Sequence, residues 1–552
     1  MLKTSRHCRF MLMLPALATL AVATIAHAQA FSVLYNFGTS AGDPTNPSFS
    51  GIIAQGRDGN LYSTAPSGGA SNYGAIFKIT PSGTLTTLDS FKGTDGEQPQ
   101  SGLTLGTDGN YYGASYGGGA SGYGTVLKVT PSGKLTVLYS FANGSDGAYP
   151  WAPPIEGTDG NFYGTTTQVG LGVGTVYKIT PSGKFTTLYS FGGPDGVTPW
   201  ASLVQGTDGN FYGTTGAGGN SGYGVVYKIT ASGKLTVIYN FDGTHGGSPL
   251  SPLVQGSDGN FYGTARGGAK GGGVVFRITP TGKLTVLHNI NATSDQDEPY
   301  AGLVQATDGN FYGTTTGDGS RTLGTIFRIS PTKPYPYRVL YKFNGTTGML
   351  PQVTLVQHTN GILYGDTLEG GTGSVHPCSV GFCGVFYSLN IGAGPFVSLV
   401  SASGKVGKTI GILGQGFSRS SVVKFDGVQA TSVKRTGTSF LSVALPAGAL
   451  TGSATVTTGS TTLTSNKTFR VTPQILGFKP TSGAVGTVVT ITGVSLTQTS
   501  KVTFGGVKAI SVTINSDTQV TVTVPTGAMT GHIAITTLGG TAVSSGIFAV
   551  TQ

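Results

Sequence analysis

The chain has 552 residues, enough for several domains with large buried cores. Charged residues make up 10% of it and 92 residues are glycine, a composition that favours turns and strands and excludes a mainly helical protein. The formal net charge of +10 comes without a nucleic-acid-binding motif, so we attribute it to lysines scattered on solvated strands and expect no nucleic-acid partner. A modest basic excess would also favour adhesion to anionic surfaces.

Residues 1–28 have the features of a secretory signal peptide. A head with three cations is followed by an apolar core and by the small residues "AHA". We expect cleavage near Ala28 and a secreted or cell-surface protein. Cys8 lies outside any lipoprotein-type cleavage box, and no later apolar run is long enough to span a bilayer, so we expect neither a lipid anchor nor a transmembrane segment.

A nine-residue phrase recurs along the chain at a spacing of about 50 residues. It reads "TDGNFYGTT" at Thr207, and similar or more divergent copies begin at Arg57, Thr107, Thr158, Ser257, Thr307 and Thr359. A period of this size indicates a solenoid, a propeller or an array.

The unit that begins at Ser202 decides between these architectures. "SLVQG", "NFYGTT", "VVYKIT" and "LTVIYNF" predict four short strands, a to d. Asp-Gly favours a tight a–b hairpin, "ASGK" predicts the c–d turn, and no segment has a helical pattern. Four antiparallel strands in one repeat are typical of a propeller blade.

The order of the strands predicts how the ring closes. The chain has seven a–b–c sets and seven d strands, but the first d strand, "FSVLYNF", precedes the first a strand. We therefore predict a seven-bladed propeller over residues 29–393, with strand 31–37 as the outer strand of the last blade. Closure protects strand edges that would otherwise be open.

Two similar β-rich segments follow, at residues 394–471 and 472–552. Alternating Val, Thr and Ile between Gly/Ser/Pro turns predicts a small β-sandwich for each. The fold class is therefore all-β: a seven-bladed β-propeller followed by two β-sandwiches.

Both parts of the chain resemble known families. In the second sandwich "GFKPTSGAVGTVVTITG", "VTFGG" and "GHIAITTLGG" resemble the immunoglobulin-like IPT/TIG family, and "VKFDGVQA" in the first is a weaker match. The repeats, with "DGNFYGTT" and "TPSGKLTVLYSF", resemble the GloVer (Gloeo_Verruco) tandem repeats of exported bacterial proteins. The resemblance implies an exported, surface-associated protein of unassigned activity, with IPT/TIG domains as spacers or adhesive modules that could contact a protein partner. Relatives often carry a C-terminal sorting or anchor segment, and the last residues, "FAVTQ", do not match one, which argues against a covalent anchor.

The tyrosine of the phrase has two interpretations. It recurs in all seven copies, at Tyr62, Tyr112, Tyr163, Tyr212, Tyr262, Tyr312 and Tyr364. We favour packing between blades, where a large amphipathic ring fits well. The alternative is a ring of seven binding tyrosines.

The face formed by the d–a and b–c loops varies most and is the predicted binding face. After the Pro of each d–a loop stands a variable residue: Phe49, Gln100, Trp151, Trp200, Leu250, Tyr300 or Gln352. Trp151, Trp200 and Tyr300, with Asp146 and Asp195 upstream, are the candidate residues for a glycan or cell-surface polymer. The alternative is that the aromatic side chains fill gaps between blades.

Few residues suggest other chemistry. Cys378 and Cys383 are the two cysteines of the mature chain and predict a short-loop disulfide; zinc binding would need His376 and a fourth ligand that is missing. His245 is the one histidine placed for catalysis on the variable face, and Ser115 in "GASYG" we interpret as a chance match to a nucleophile motif. We expect no metal and no cofactor.

Three functional hypotheses remain open at this point. The first is a non-catalytic binding or adhesion protein with a glycan or surface partner on the variable face. The second is a propeller lyase or hydrolase, similar to streptogramin lyases in its "DGN" phrases. The third is a structural surface or matrix protein. In each case we expect a monomer.

Overall fold

A computed structural model of the protein describes residues 30–47, 52–168, 173–292, 298–317, 322–372 and 383–552. The named elements in these ranges are β-strands, which confirms the predicted all-β class. No helix in the described ranges is long and apolar enough to cross a membrane.

The repeats form four-stranded antiparallel sheets in the order a-b-c-d, and the described residues contain seven of them. We call each sheet a blade and number the blades from the a strand Ala54–Gln55. The further a strands are Thr104–Leu105, Ile155–Glu156, Val204–Gln205, Val254–Gln255, Val304–Gln305 and Val356–Gln357. The b strands are Leu61–Ala65, Tyr111–Ser115, Phe162–Thr166, Phe211–Thr215, Phe261–Ala265, Phe311–Thr315 and Leu363–Asp366.

The outer half of each blade consists of the c and d strands. The c strands are Ala75–Ile79, Thr125–Val129, Thr175–Ile179, Val225–Ile229, Gly271–Ile278, Thr325–Ile329 and Val385–Asn390. The d strands are Leu85–Ser90, Leu135–Ser140, Phe185–Ser190, Leu235–Asn240, Leu284–Asn291, Tyr337–Lys342 and, for the last blade, Ala30–Asn36. A short extra pair, Pro44–Thr45 with Ser67–Gly68, lies beside the first blade.

The last blade combines both ends of the repeat region. Ala30–Asn36 pairs antiparallel with Val385–Asn390, with Ser32 opposite Ser388. Phe37, directly after this strand, is fully buried, and its ring centroid lies 5.5 Å from that of Phe77 in the first blade. The N-terminal strand therefore completes the last blade and packs against the first.

The phrase tyrosines join neighbouring blades, as the favoured interpretation predicts. Tyr212 is fully buried, its ring centroid lies 4.0 Å from that of Phe261 in the next blade, and its hydroxyl donates to Asp208 at 2.8 Å. Burial, together with the hydrogen bond to Asp208, raises its pKa. The other six phrase tyrosines are also buried. A ring of binding tyrosines is therefore wrong.

Glutamines at the ends of the a strands form a second link between blades. Gln255 accepts a hydrogen bond from the backbone N–H of Thr207 at 3.0 Å and donates to the carbonyl oxygen of Gly259 at 2.9 Å. The same link joins Gln55 of the first blade to Thr359 of the last. Because this bond spans the two ends of the repeat array, it supports a closed ring.

A residue with left-handed backbone precedes the Pro of every d–a loop. Its φ lies between 48° and 59° at Asn46, Gln98, Tyr149, Thr198, Ser248, Glu298 and Leu350. Tyr149 is an example: its N–H donates to Tyr123 of the preceding blade at 2.9 Å, and its carbonyl accepts from Thr167 of its own blade at 3.3 Å. Non-glycine residues adopt this φ rarely, and here the hydrogen bonds to two blades hold it.

The d–a and b–c loops lie on one face, as predicted. Short antiparallel bridges join the two kinds of loop, for instance Glu97 with Gly117 and Val197 with Ala217. The b–c loop ends on a glycine for a steric reason: Gly124 has a φ of 95°, and a Cβ there would lie 2.7 Å from Pro150 of the next d–a loop. We call this side the variable face.

Each C-terminal segment forms two facing sheets with the same strand order. In the first sandwich the four-stranded sheet contains, in order, Ser398–Leu399, Thr409–Leu413, Phe440–Ala444 and Val433–Thr436. The five-stranded sheet contains Ser403–Gly404, Thr461–Val471, Gly452–Thr458, Val422–Phe425 and Val428–Gln429. In the second sandwich the four-stranded sheet contains, in order, Gln474–Lys479, Val488–Val494, Gln519–Thr523 and Val512–Ser516. The five-stranded sheet contains Ser482–Gly483, Gly540–Val550, Gly531–Thr537, Thr499–Phe504 and Val507–Lys508. Each sandwich has its own buried apolar cluster.

The first sandwich contacts the a–b turns, on the face opposite the variable one. Ser439 donates to the carbonyl oxygen of Arg57 at 2.8 Å, and the Arg57 guanidinium lies 4.4 Å from the centroid of the Phe440 ring. Gln415 donates to Thr359 Oγ1 at 2.9 Å. This contact leaves the variable face directed away from the first sandwich.

We predict that Phe37→Ala lowers the free energy of unfolding by about 3–5 kcal/mol, because it removes a buried aromatic side chain from the junction of the last and first blades. The matched control is Phe141→Ala, which removes the equivalent side chain from an interior junction. Urea denaturation of both variants should give losses of similar size. A Phe37→Ala protein as stable as the unmodified protein would contradict closure by the N-terminal strand.

Candidate functional site

The two tryptophans of the chain meet on the variable face. Their ring centroids lie 4.3 Å apart, with the planes inclined by 68°. Tyr116 packs edge-on against Trp151 at 5.0 Å and stacks on Tyr149 at 4.8 Å, and Tyr123 lies 5.7 Å from Tyr149. All five side chains are half-buried. We call Tyr116, Tyr123, Tyr149, Trp151 and Trp200 the aromatic cluster.

Three consecutive blades contribute to the aromatic cluster. Tyr116 and Tyr123 lie in the b–c loop of the second blade, Tyr149 and Trp151 in the loop that enters the third, and Trp200 in the loop that enters the fourth. Each tryptophan directly follows the Pro of its d–a loop, and a residue with left-handed backbone precedes that Pro. Sequence position alone therefore brings Trp151 and Trp200 to adjacent places on one face.

The two candidate aspartates hold their own loops. Asp146 accepts hydrogen bonds from the backbone N–H groups of Ala142 at 2.8 Å and Gly144 at 2.9 Å, and from the Tyr139 hydroxyl at 3.1 Å. Burial and the neighbouring Asp146 carboxylate raise the pKa of Tyr139 to about 12. Asp195 accepts from Gly192 N–H at 2.7 Å and from the Tyr189 hydroxyl. The sequence did not reveal these loop-closing bonds.

Tyr300 belongs to a different group on the variable face. The Arg266 guanidinium lies 4.6 Å from the centroid of its ring, and the same Arg266 forms a 2.5 Å ion pair with Glu298. Burial raises the pKa of Tyr300, with the nearby Arg266 guanidinium opposing the effect and the Glu298 carboxylate adding to it. The structure thus joins Trp151 with Trp200 and pairs Tyr300 with Arg266.

The residues considered for catalysis have structural contacts. His245 Nδ1 lies 2.7 Å from Asp242 Oδ2 in an exposed turn, and hydrogen bonds from His245 are the main reason that the pKa of Asp242 is lowered. Ser115 is fully buried, and its Oγ donates to the Gly117 carbonyl at 2.9 Å. Neither arrangement pairs a nucleophile with a general base.

Several predicted residues lie outside the described ranges, namely Phe49, His376 and Cys378. Cys383 is fully buried beside Phe37 and Phe386 in the cluster between the last and first blades. The Cys378–Cys383 disulfide stays a prediction.

Sequence reasoning missed one buried carboxyl group. Asp366 in the last b strand is fully buried, and neither of its carboxyl oxygens has a hydrogen-bond partner. Burial raises its pKa to about 8. The sister blades have a small residue here, such as Thr214, which donates to the next blade at 3.3 Å. The sequence could have revealed this group, because Asp366 stands at a position where the other repeats have Thr or Ala.

Comparison with known proteins identifies the repeat and the second sandwich. The family model of the Gloeobacter/Verrucomicrobia repeat matches residues 21–206, 154–378 and 258–466, and that of the IPT/TIG domain matches residues 473–550. No curated protein matches the chain.

Several solved structures have a distant similarity to the chain. The periplasmic gluconolactonase of Pseudomonas aeruginosa is 15% identical over 70% of this chain and 99% of its own, with a TM-score of 0.41. A fungal alcohol oxidase of the AA5 family is 14% identical over 95% of this chain and 100% of its own, with a TM-score of 0.39. SGBP-B from a xyloglucan utilization locus in Bacteroides uniformis is 25% identical over 28% of this chain and 48% of its own, with a TM-score of 0.15. At these TM-scores the likenesses carry no argument about activity.

We predict that Asp366→Thr stabilises the protein at pH 8 and much less at pH 5. The folded-state pKa of about 8 lies above the ordinary value of 3.8, so the stability of the unmodified protein falls as the pH rises from about 4 towards 8. At about 1.4 kcal/mol per pKa unit, the gain at pH 8 is of the order of several kcal/mol.

The matched control is Thr214→Asp, which places a buried carboxyl group at the equivalent site of an interior blade. It should lower the melting temperature more at pH 8 than at pH 5. An effect of Asp366→Thr that is equal at both pH values would contradict the assignment of a protonated Asp366.

Proposed function

We propose that this chain, which belongs to the Gloeobacter/Verrucomicrobia repeat family, is an exported, non-catalytic protein that binds a glycan on its variable face. Its IPT/TIG domain and the sandwich before it serve as spacer or adhesive modules. Export is inferred from the signal-peptide features of residues 1–28.

The aromatic cluster is the observation that supports this proposal most directly. Half-buried Trp and Tyr rings offer apolar surface together with N–H and O–H groups, and both can match a sugar ring. Trp151 and Trp200 meet edge to face with their planes inclined by 68°, so the solvent-exposed parts of the two rings offer adjacent apolar surfaces to one sugar unit. A rigid scaffold with variable loops is also where binding residues are commonly found.

The surroundings of the aromatic cluster supply polar groups and rigidity. Asp146 and Asp195 lie in the same d–a loops, and their bonds to backbone N–H groups fix the loops without occupying every carboxylate lone pair. Pre-organised loops lose little conformational entropy when a ligand binds. We therefore assign these aspartates a supporting role and the tryptophans the main contact.

The contacts of the candidate catalytic groups support the non-catalytic part of the proposal. Ser115 uses its hydroxyl inside the blade, and His245 is held in a turn by Asp242. General-base catalysis needs a base within hydrogen-bond reach of a nucleophile or a bound substrate, and these two residues do not provide that pair.

A glycan and polymer array, followed by titration of the strongest ligand, tests the proposal. We expect Trp151→Ala and Trp200→Ala each to weaken binding by roughly fivefold or more, the effect of losing one well-formed aromatic contact. The matched control is Tyr223→Ala, which removes an aromatic side chain, 48% exposed, from a b–c loop outside the aromatic cluster. It should leave the affinity unchanged.

Thermal unfolding of the same variants separates binding from packing. Variants that melt earlier yet keep the full affinity for the array ligand would show that the tryptophans fill a gap between blades, and would overturn the site.

A further inference from the structure

A large cavity lies on the face opposite the variable one. It measures about 2230 Å³, is open to solvent on one side, and is bordered by three parts of the chain: the a strands and a–b turns, the first sandwich, and the β-hairpin turn of the second sandwich around Leu538. Hydrogen bonds hold the three parts together. Arg470 of the first sandwich donates to the carbonyl oxygen of Thr207 in the propeller at 2.5 Å. Between the two sandwiches, the Thr451 N–H donates to the side-chain oxygen of Gln498, and the Gln498 side-chain amide donates to the Thr451 carbonyl oxygen.

The first sandwich lines this cavity with positive charge. Lys405, Lys408, Lys467 and Arg470 all face it. Lys405, Lys408 and Lys467 have exposed surface, and none takes part in the two ion pairs found in the described part of the chain. Desolvation by the surrounding protein lowers the pKa of the Lys467 ammonium group. The ammonium groups of Lys405 and Lys408 are available to a ligand.

The negative charge in the cavity is smaller and already engaged. Asp159 and Asp208 of the propeller also face it. Burial alone would raise the pKa of Asp159, but hydrogen bonds from Asn161 and Tyr163 outweigh that effect and lower it. Asp208 accepts the equivalent bonds from Asn210 and Tyr212. Four cations thus face two carboxylates that are bonded within their own turns.

The remaining lining and the size of the cavity indicate a polyhydroxylated oligomer. Exposed Thr462, Thr464, Asn466 and Thr541 present hydroxyl and amide groups that both donate and accept hydrogen bonds. Pockets for single small molecules measure about 300–1,000 Å³, so this cavity is large enough for several sugar units.

We propose that this cavity binds an anionic oligosaccharide, with Lys405, Lys408 and Lys467 contacting its acidic groups and the threonines its hydroxyl groups. The site is independent of the aromatic cluster, because a–b turns and d–a loops lie at opposite ends of each a strand. Exposed ammonium groups are screened by salt, so the affinity falls as ionic strength rises.

The test compares two triple variants that change the net charge equally. Lys405→Gln/Lys408→Gln/Lys467→Gln removes the cavity lysines. Lys134→Gln/Lys184→Gln/Lys234→Gln removes three exposed lysines of c–d turns that do not line the cavity. The probes are size-fractionated oligogalacturonate for carboxylate groups, dextran sulfate oligomers for sulfate groups, and fully methyl-esterified oligogalacturonate as the neutral control, each titrated calorimetrically.

We expect at least one acidic probe to bind, the cavity variant to bind it at least tenfold more weakly, and the control variant to stay within about twofold of the unmodified protein. The ester should not bind at this site, and Trp151→Ala should not change the result, which separates this site from the variable face. Equal losses in both triple variants, equal binding of the ester, or no binding of either acidic probe would overturn the proposal. Unchanged melting temperatures establish that both variants are folded.

Discussion

A propeller blade with apolar side chains on both faces is stable only between two neighbours, and this constraint determines the rest of the molecule. The b strands show it most clearly, since every residue of Phe211–Thr215 is buried. Blades cover their neighbours through the tyrosine of the phrase, and in six blades the aspartate of the turn accepts a hydrogen bond from its hydroxyl. An open array of blades would leave one apolar face exposed to solvent at each end. The pairing of Ala30–Asn36 with Val385–Asn390 closes the ring, so that the first and last blades cover each other.

A closed ring separates two faces with different uses. The a–b turns are nearly identical because each must form the same hairpin, and the first sandwich contacts them through backbone groups such as the Arg57 carbonyl. The d–a loops are free to vary after the Pro, because the hydrogen bonds that hold each loop come from its backbone, as at Tyr149, and from side chains before the Pro, as at Asp146. Side chains such as Trp151 and Trp200 can therefore change without loss of the scaffold.

Local signals explain what the sequence predicted and what it missed. The 50-residue period, the Asp-Gly hairpins and the packing of Tyr212 follow from patterns within one repeat. The left-handed φ of Thr198 could not be predicted in this way, because threonine disfavours that φ and the hydrogen bonds that hold it come from neighbouring loops. The cavity beside Lys467 likewise depends on contacts between segments far apart in the chain.

Amide hydrogen exchange of the N-terminal strand is the most direct measurement of ring closure. Peptides covering Ala30–Asn36 and the equivalent outer strand Leu135–Ser140 should be protected to a similar degree, within about tenfold, because both pair with a c strand. Exchange of Ala30–Asn36 at the rate of an unstructured peptide, while Leu135–Ser140 remains protected, would show that the ring is open and would contradict the account.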